Sequence, residues 1–106
     1  MVYVVESAEY APGKRQEALA FLKEIAKYHD KEPGTELRIF RRVAPGSGME
    51  ARLTTVYTVD SVSVWSQIRQ KRHEDPQWRE LVKDAFHPDK GSLVHNTYTQ
   101  TLLDEA

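Results

Sequence analysis

RQKRHEDPQWRELVKDAF, residues 69–86, carries a helical pattern that runs into Asp75-Pro76 and resumes at once with Trp78. Proline has no N–H to lose at the first helical position, and an aspartate before it satisfies one of the N–H groups the new helix leaves open. The stretch therefore predicts two helical pieces meeting at an angle, the second restarted by an Asp-Pro cap. After Trp78, the residues Leu81, Val82, Ala85 and Phe86 fall at the spacing of one amphipathic face. Trp78 is expected to anchor that restarted helix.

Working outward, the same reading extends to both ends. Val62, Trp65, Ile68 and Arg72 trace the inner side of the preceding helix, for which Asp60 is the expected N-cap. Residues 2–10, VYVVESAEY, are β-branched and aromatic without helical period and predict a strand. Pro12-Gly13 punctuates, and a helix over 14–31 presents Ala18, Phe21, Leu22, Ile25, Tyr28 and His29 as one stripe. Glu32-Pro33-Gly34-Thr35 stops it, because Pro33 disfavours helix at Glu32 and Gly34 permits the turn. Strands are predicted at 35–43 and 50–59, joined across Ala44-Pro45-Gly46-Ser47-Gly48 as a hairpin. In the first of these, Leu37 and Ile39 share one face while Arg38, Phe40 and Arg42 share the other. A last strand is predicted over 92–103, SLVHNTYTQTLL.

The order βαββαβ in 106 residues predicts one domain spanning 1–106, of α+β class and ferredoxin-like. Four antiparallel strands would carry both helices on one face. The opposite face then lacks cover, and a second copy of the chain is the simplest partner for it. Val2, Val4, Phe40, Val56, Val94 and Tyr98 are the residues expected to contribute.

Composition narrows function mainly by exclusion. With 15 basic and 16 acidic residues the net charge is −1, which gives no general pull toward nucleic acid. No cysteine is present, so disulfides, thiolate metal sites and cysteine nucleophiles are excluded. No apolar run approaches the roughly 20 residues of a membrane span, and the start lacks the pattern of a secretory signal, so a cytoplasmic location is the default. The four histidines show no metal-ligand spacing, and neither a metal nor another cofactor is expected. RQKRH, cut short by Glu74-Asp75, reads as a solvated helix face. Arg38, Arg41, Arg42 and Arg52 cluster on the hairpin, where pairing with Glu36, Glu50 or a partner's carboxylates competes with anion binding.

Two segments resemble a known superfamily. EYAPGKRQEALAFLKE is similar to the first strand–helix junction of dimeric α+β barrel proteins. VWSQIRQKRHEDPQWRELV resembles their second helix, particularly in the NIPSNAP-like branch, where a short helix ends in a D-P-x-W step. The resemblance implies a homodimer, with a pocket between sheet and helices in each subunit. The superfamily includes antibiotic-biosynthesis monooxygenases, haem-degrading monooxygenases and isomerases, so the fold alone names no reaction. Haem-degrading relatives place asparagine on the first strand and histidine beyond the second-helix tryptophan. Trp65 matches that tryptophan, but Glu6 or Ser7 stands at the asparagine position and Val82 or Lys83 at the histidine position, which argues against haem chemistry.

Trp65 and Trp78 are the candidate substrate-binding residues, as flat walls for an aromatic ligand. Both also lie on apolar helix stripes, where packing on the sheet is the commoner use. His95 and Tyr98 are the candidate catalytic residues, an imidazole and a phenol available for proton transfer on the last strand. Strand histidines are more often structural. The expected function is small-molecule binding with unresolved activity. The alternative is a cofactor-free monooxygenase or isomerase acting on a small aromatic or polyketide-like substrate.

Overall fold

The structure is a computed structural model, and it describes residues 1–32, 35–41, 52–94 and 98–105. The elements follow in the order β1 (Val2–Glu9), α1 (Arg15–His29), β2 (Thr35–Arg41), β3 (Arg52–Val59), α2 (Val62–Glu74), α3 (Pro76–Val82) and β4 (Tyr98–Leu103). The sheet is ordered β2-β3-β1-β4 with every neighbouring pair antiparallel. β1 and β2 thus run parallel with β3 between them, which is the split crossover of a ferredoxin-like fold.

Alternation divides the sheet cleanly. Val2, Val4 and Ala8 of β1 and Leu53, Thr55, Tyr57 and Val59 of β3 are buried beneath the helices. Tyr3 and Val5 pair in register with Thr58 and Val56 on the opposite phase. Val2 and Val4 therefore do not belong to the uncovered face, contrary to the expectation for them. Phe40 is exposed there, and Val56 shares that face by register with Val5. The predicted apolar faces of the strands were recoverable, but the phase of β1 had two solutions because Tyr3 and Val5 are as apolar as Val2 and Val4.

The helices cover the inner face in two halves. Trp65 and Ile68 of α2 pack with Val2, Val4, Tyr57 and Val59. Ala18, Leu22 and Ile25 of α1 pack with Ala8, Leu53 and Leu93. Between these clusters runs one inward rung that is mostly polar: Ile39, Thr55, Glu6 and Thr99 stand side by side across all four strands.

Several boundaries differ from expectation for local reasons. The α2 N-cap is Ser61, whose hydroxyl accepts from the Val64 N–H at 3.2 Å, not Asp60. Val62 is 58% exposed and so lies off the buried stripe of Trp65, Ile68 and Arg72. The last strand begins at Tyr98; before it, Leu93 makes an isolated bridge to Tyr10, and 95–97 lie outside the described residues. Residues 33–34 and 42–51, with the hairpin loop, also lie outside them. Among the described residues no helix is long and apolar enough to cross a membrane.

The chain before β4 is held tightly at Gly91. The Gly91 carbonyl accepts from Lys14 Nζ at 3.0 Å, and its N–H donates to the His87 carbonyl at 2.9 Å. A Cβ here would come within 2.4 Å of the carbonyl oxygens of Asp84 and Ala85, both backbone atoms. Gly91→Ala is expected to cost about 2 kcal/mol through forced backbone displacement; urea denaturation checks this, and an unchanged midpoint would contradict the packing described.

Candidate functional site

Arg72 supplies the frame of the site. It lies seven residues after Trp65 on the buried face of α2 and is 6% exposed. A guanidinium at such depth needs a counter-charge and hydrogen-bond acceptors. Glu32, just past α1, provides both: Arg72 Nε donates to Oε2 at 3.1 Å and Nη2 to Oε1 at 2.7 Å. His29 lies 2.7 Å from the same Oε1 through Nδ1. A carboxylate only accepts, so Nδ1 carries the proton and donates to it. The 3.1 Å approach of Arg72 Nη2 to His29 Nδ1 is then two donors sharing one acceptor.

Aromatic rings close around the cation. The guanidinium carbon lies 4.2 Å from the Trp78 ring centre, 5.1 Å from Tyr57 and 5.6 Å from Trp65. Trp78 packs in turn on Tyr28 at 5.1 Å between ring centres. The Tyr28 hydroxyl donates to Asp75, and the other oxygen of Asp75 accepts from the Gln77 N–H at 2.9 Å. The Asp75-Pro76 break thus has a consequence beyond capping: it turns the chain so that Trp78 lies over Arg72. The RQKRH segment is accordingly not solvated throughout, because Arg72 is interior while Gln70 and Lys71 are exposed.

Beside this frame a cavity of about 740 Å³ opens between the sheet and the helices. That volume suits one small organic molecule. Apolar walls come from Phe21, Leu22, Leu53, Val82 and Phe86, and both Trp65 and Trp78 line it. The polar rung forms part of its floor, with Glu6, Thr55 and Thr99 facing in, and Tyr57, Arg69, Arg72 and His73 border it. Trp65 and Trp78 therefore pack and line the cavity at once. Of the candidate proton-handling pair, His95 lies outside the described residues, as does the Tyr98 side chain; the Tyr98 backbone pairs with Ser7.

Glu6 is the ionisable group that the candidate list missed. Burial pushes its carboxyl up from the ordinary value, with the positive charges of Arg72 and Arg69 pulling partly back. Among the described residues no side chain hydrogen-bonds that carboxyl. The signal was present in β1, where Glu6 occupies the inward phase of Val2, Val4 and Ala8. Glu32 behaves oppositely. Burial would raise it, yet the hydrogen bonds from His29 and Arg72 prevail and hold it below the usual range. Burial likewise raises Tyr57, so its phenol keeps its proton. Among the described residues no group of acidic and histidine side chains is arranged to hold a metal ion. On the hairpin, Arg38 lies 3.7 Å from Glu36 and Arg52 donates to the Ser7 carbonyl at 3.4 Å.

These two carboxyls give opposite pH signatures. Glu32, depressed in the fold, stabilises it above the ordinary carboxyl pKa of 4.5, and that contribution is lost as pH falls through the folded value. Glu6, raised in the fold, carries a cost that appears as pH rises through its folded value. Glu6→Gln is therefore expected to raise Tm at neutral pH and leave it unchanged at about pH 4, whereas Glu32→Gln costs about 3 kcal/mol at neutral pH by stranding Arg72. Thermal denaturation of both variants across pH tests this; a Glu6→Gln protein less stable than wild type at neutral pH would contradict it.

No protein-family model matches the chain, and no curated protein matches it by sequence. Solved structures do match over the full length. A NIPSNAP domain protein from Burkholderia xenovorans superposes with a TM-score of 0.79 at 17% identity, covering 100% of this chain and 96% of that one. A NIPSNAP-like domain protein from the same organism gives 0.76 at 14% identity, covering 99% and 85%. A structure described as an antibiotic biosynthesis monooxygenase gives 0.72 at 9% identity and covers 100% of both chains. At these identities the likeness speaks for the fold, and it agrees with the resemblance seen at the Pro-Gly-Lys turn and the D-P-x-W step. The chain has a ferredoxin-like α+β fold, the same fold as those NIPSNAP-domain and antibiotic biosynthesis monooxygenase structures.

Proposed function

We propose that the protein binds one small aromatic molecule per chain in the cavity between sheet and helices, and that two chains associate through the uncovered sheet face. The observation that carries the first part is the polar rung, which interrupts the core just where two tryptophans and a buried arginine form a wall. A chain optimised for packing alone would place an apolar residue at Glu6 and merge the two clusters. The second part is supported by the apolar content of the outer face, where Tyr3, Val5, Val56, Phe40 and Leu102 fall on one phase and the last two are about half exposed.

A second reading makes the site catalytic. Glu6 supports it: a carboxyl raised by burial, beside an apolar cavity, is suited to take a proton from a bound carbon or oxygen acid. In that reading the protein is a cofactor-free monooxygenase or isomerase for an aromatic or polyketide-like substrate, with Glu6 handling the proton. The nearby folds described as monooxygenases are compatible with it and do not choose it.

Calorimetric titration with 2-naphthol, together with a native mass spectrum, tests the first reading. Wild type is expected to bind one 2-naphthol per chain and to fly as a dimer. Val82→Trp, which fills the cavity from a half-buried helix position, is expected to remain a dimer and lose binding at least about tenfold. Binding that survives Val82→Trp would place the ligand elsewhere, and a monomeric wild type would remove the proposed assembly.

A further inference from the structure

The Tyr57 hydroxyl poses a specific demand on whatever fills the cavity. Tyr57 is 3% exposed, held between Trp65 at 4.7 Å and His29 at 5.0 Å between ring centres. Its oxygen accepts from Arg72 Nη1 at 3.4 Å. That contact uses acceptor capacity and leaves the O–H hydrogen, for which the described residues supply no acceptor. A buried hydroxyl has one such hydrogen to place, and leaving it unpaired costs about 1–3 kcal/mol. Tyr57 lines the cavity, so an occupant can meet the need.

The charges around it indicate what kind of acceptor fits. Arg72 is neutralised by Glu32. Arg69, three residues earlier and also lining the cavity, makes no ion pair or hydrogen bond among the described residues. Glu6, paired in register with Thr55 one rung from Tyr57, has its carboxyl raised by burial, with the charges of Arg72 and Arg69 acting against that rise. The polar end of the cavity thus offers two donors, the Tyr57 hydroxyl and the Arg69 guanidinium, from which no side chain among the described residues accepts a hydrogen bond.

We infer that the ligand is a planar apolar molecule ending in one carboxylate, with Tyr57 donating to that group and Arg69 supplying the opposing charge. This rests on the small-molecule reading above and names the ligand's chemical class. The aromatic wall takes the body of such a molecule. The hydroxyl and guanidinium set its direction, with the carboxylate toward the polar rung. A ligand with a cationic end would instead meet Arg69 and gain only Glu6.

Titration with 2-naphthoate and with 2-naphthylmethylammonium, which differ in the sign of the polar end, tests the inference. The wild type is expected to bind the anion at least about tenfold more tightly than the cation. Tyr57→Phe keeps the ring and its contacts and is expected to weaken naphthoate about tenfold while leaving the cation unchanged. Arg69→Gln, at an exposed position, is expected to bring the two ligands within about a factor of two. Equal wild-type affinities, or preference for the cation, would overturn the carboxylate assignment while 2-naphthol binding stands. An equal loss for both ligands in Tyr57→Phe would reduce the hydroxyl to a packing role and overturn its part. If none of the three naphthalene probes binds, the small-molecule reading itself fails.

Discussion

A single guanidinium below the surface organises this protein. Arg72 is unfavourable in isolation, since desolvating a charge outweighs the apolar contact its stem gains. It becomes tolerable only when Glu32 approaches from the end of α1, His29 steadies that carboxylate and Trp78 lies over the cation. Each requirement constrains a different element. The position of α1 relative to α2 is fixed through Glu32, and α3 is fixed through Trp78. Tyr57 connects the same centre to the middle of the sheet. The short helices have modest apolar faces, and none of the α3 residues is fully buried, so this polar joint has an unusual share in placing them.

The cavity follows from that arrangement. With α2 tied down at Arg72 and α1 packed at Ala18, Leu22 and Ile25, the space above the Glu6 rung is bordered on both sides and not filled. Glu6 is the local inconsistency in an otherwise apolar phase of β1. Such departures cost stability and concentrate where a protein does something other than fold. Burial raises its carboxyl, and the positive charges of Arg72 and Arg69 pull it partly back. The proposed ligand is restricted by the donors of Tyr57 and Arg69 that border the same space.

Much of the architecture was legible because it rests on local chemistry. Asp75-Pro76 declared a helix restart, and the stripe of Ala18, Leu22, Ile25 and His29 declared an inner face. The alternation of Leu37 and Ile39 against Arg38 and Phe40 was correct. The phase of β1 was not fixed by pattern, since Val2, Tyr3, Val4 and Val5 are all apolar and only pairing with β3 decides between them. Trp65 and Trp78 were legible as inward-facing from their helix spacing, and both pack in the core and border the cavity. Glu6 was legible only after the phase of β1 was known; the inward position of Arg72 was legible from its spacing with Trp65 and Ile68, but its partner Glu32, forty residues away, was not. Charged residues in a basic run look solvated until a distant partner is visible.

The claim on which the account turns is that Arg72 is held, charged and shielded, by Glu32 and Trp78. The most direct measurement is the exchange rate of arginine Nε–H protons by nitrogen-edited NMR near neutral pH. The account predicts one Nε–H signal protected well beyond the others, assigned to Arg72 by its loss in Arg72→Lys, and dependent on Glu32. Uniformly fast exchange at every arginine, with the fold intact, would contradict it.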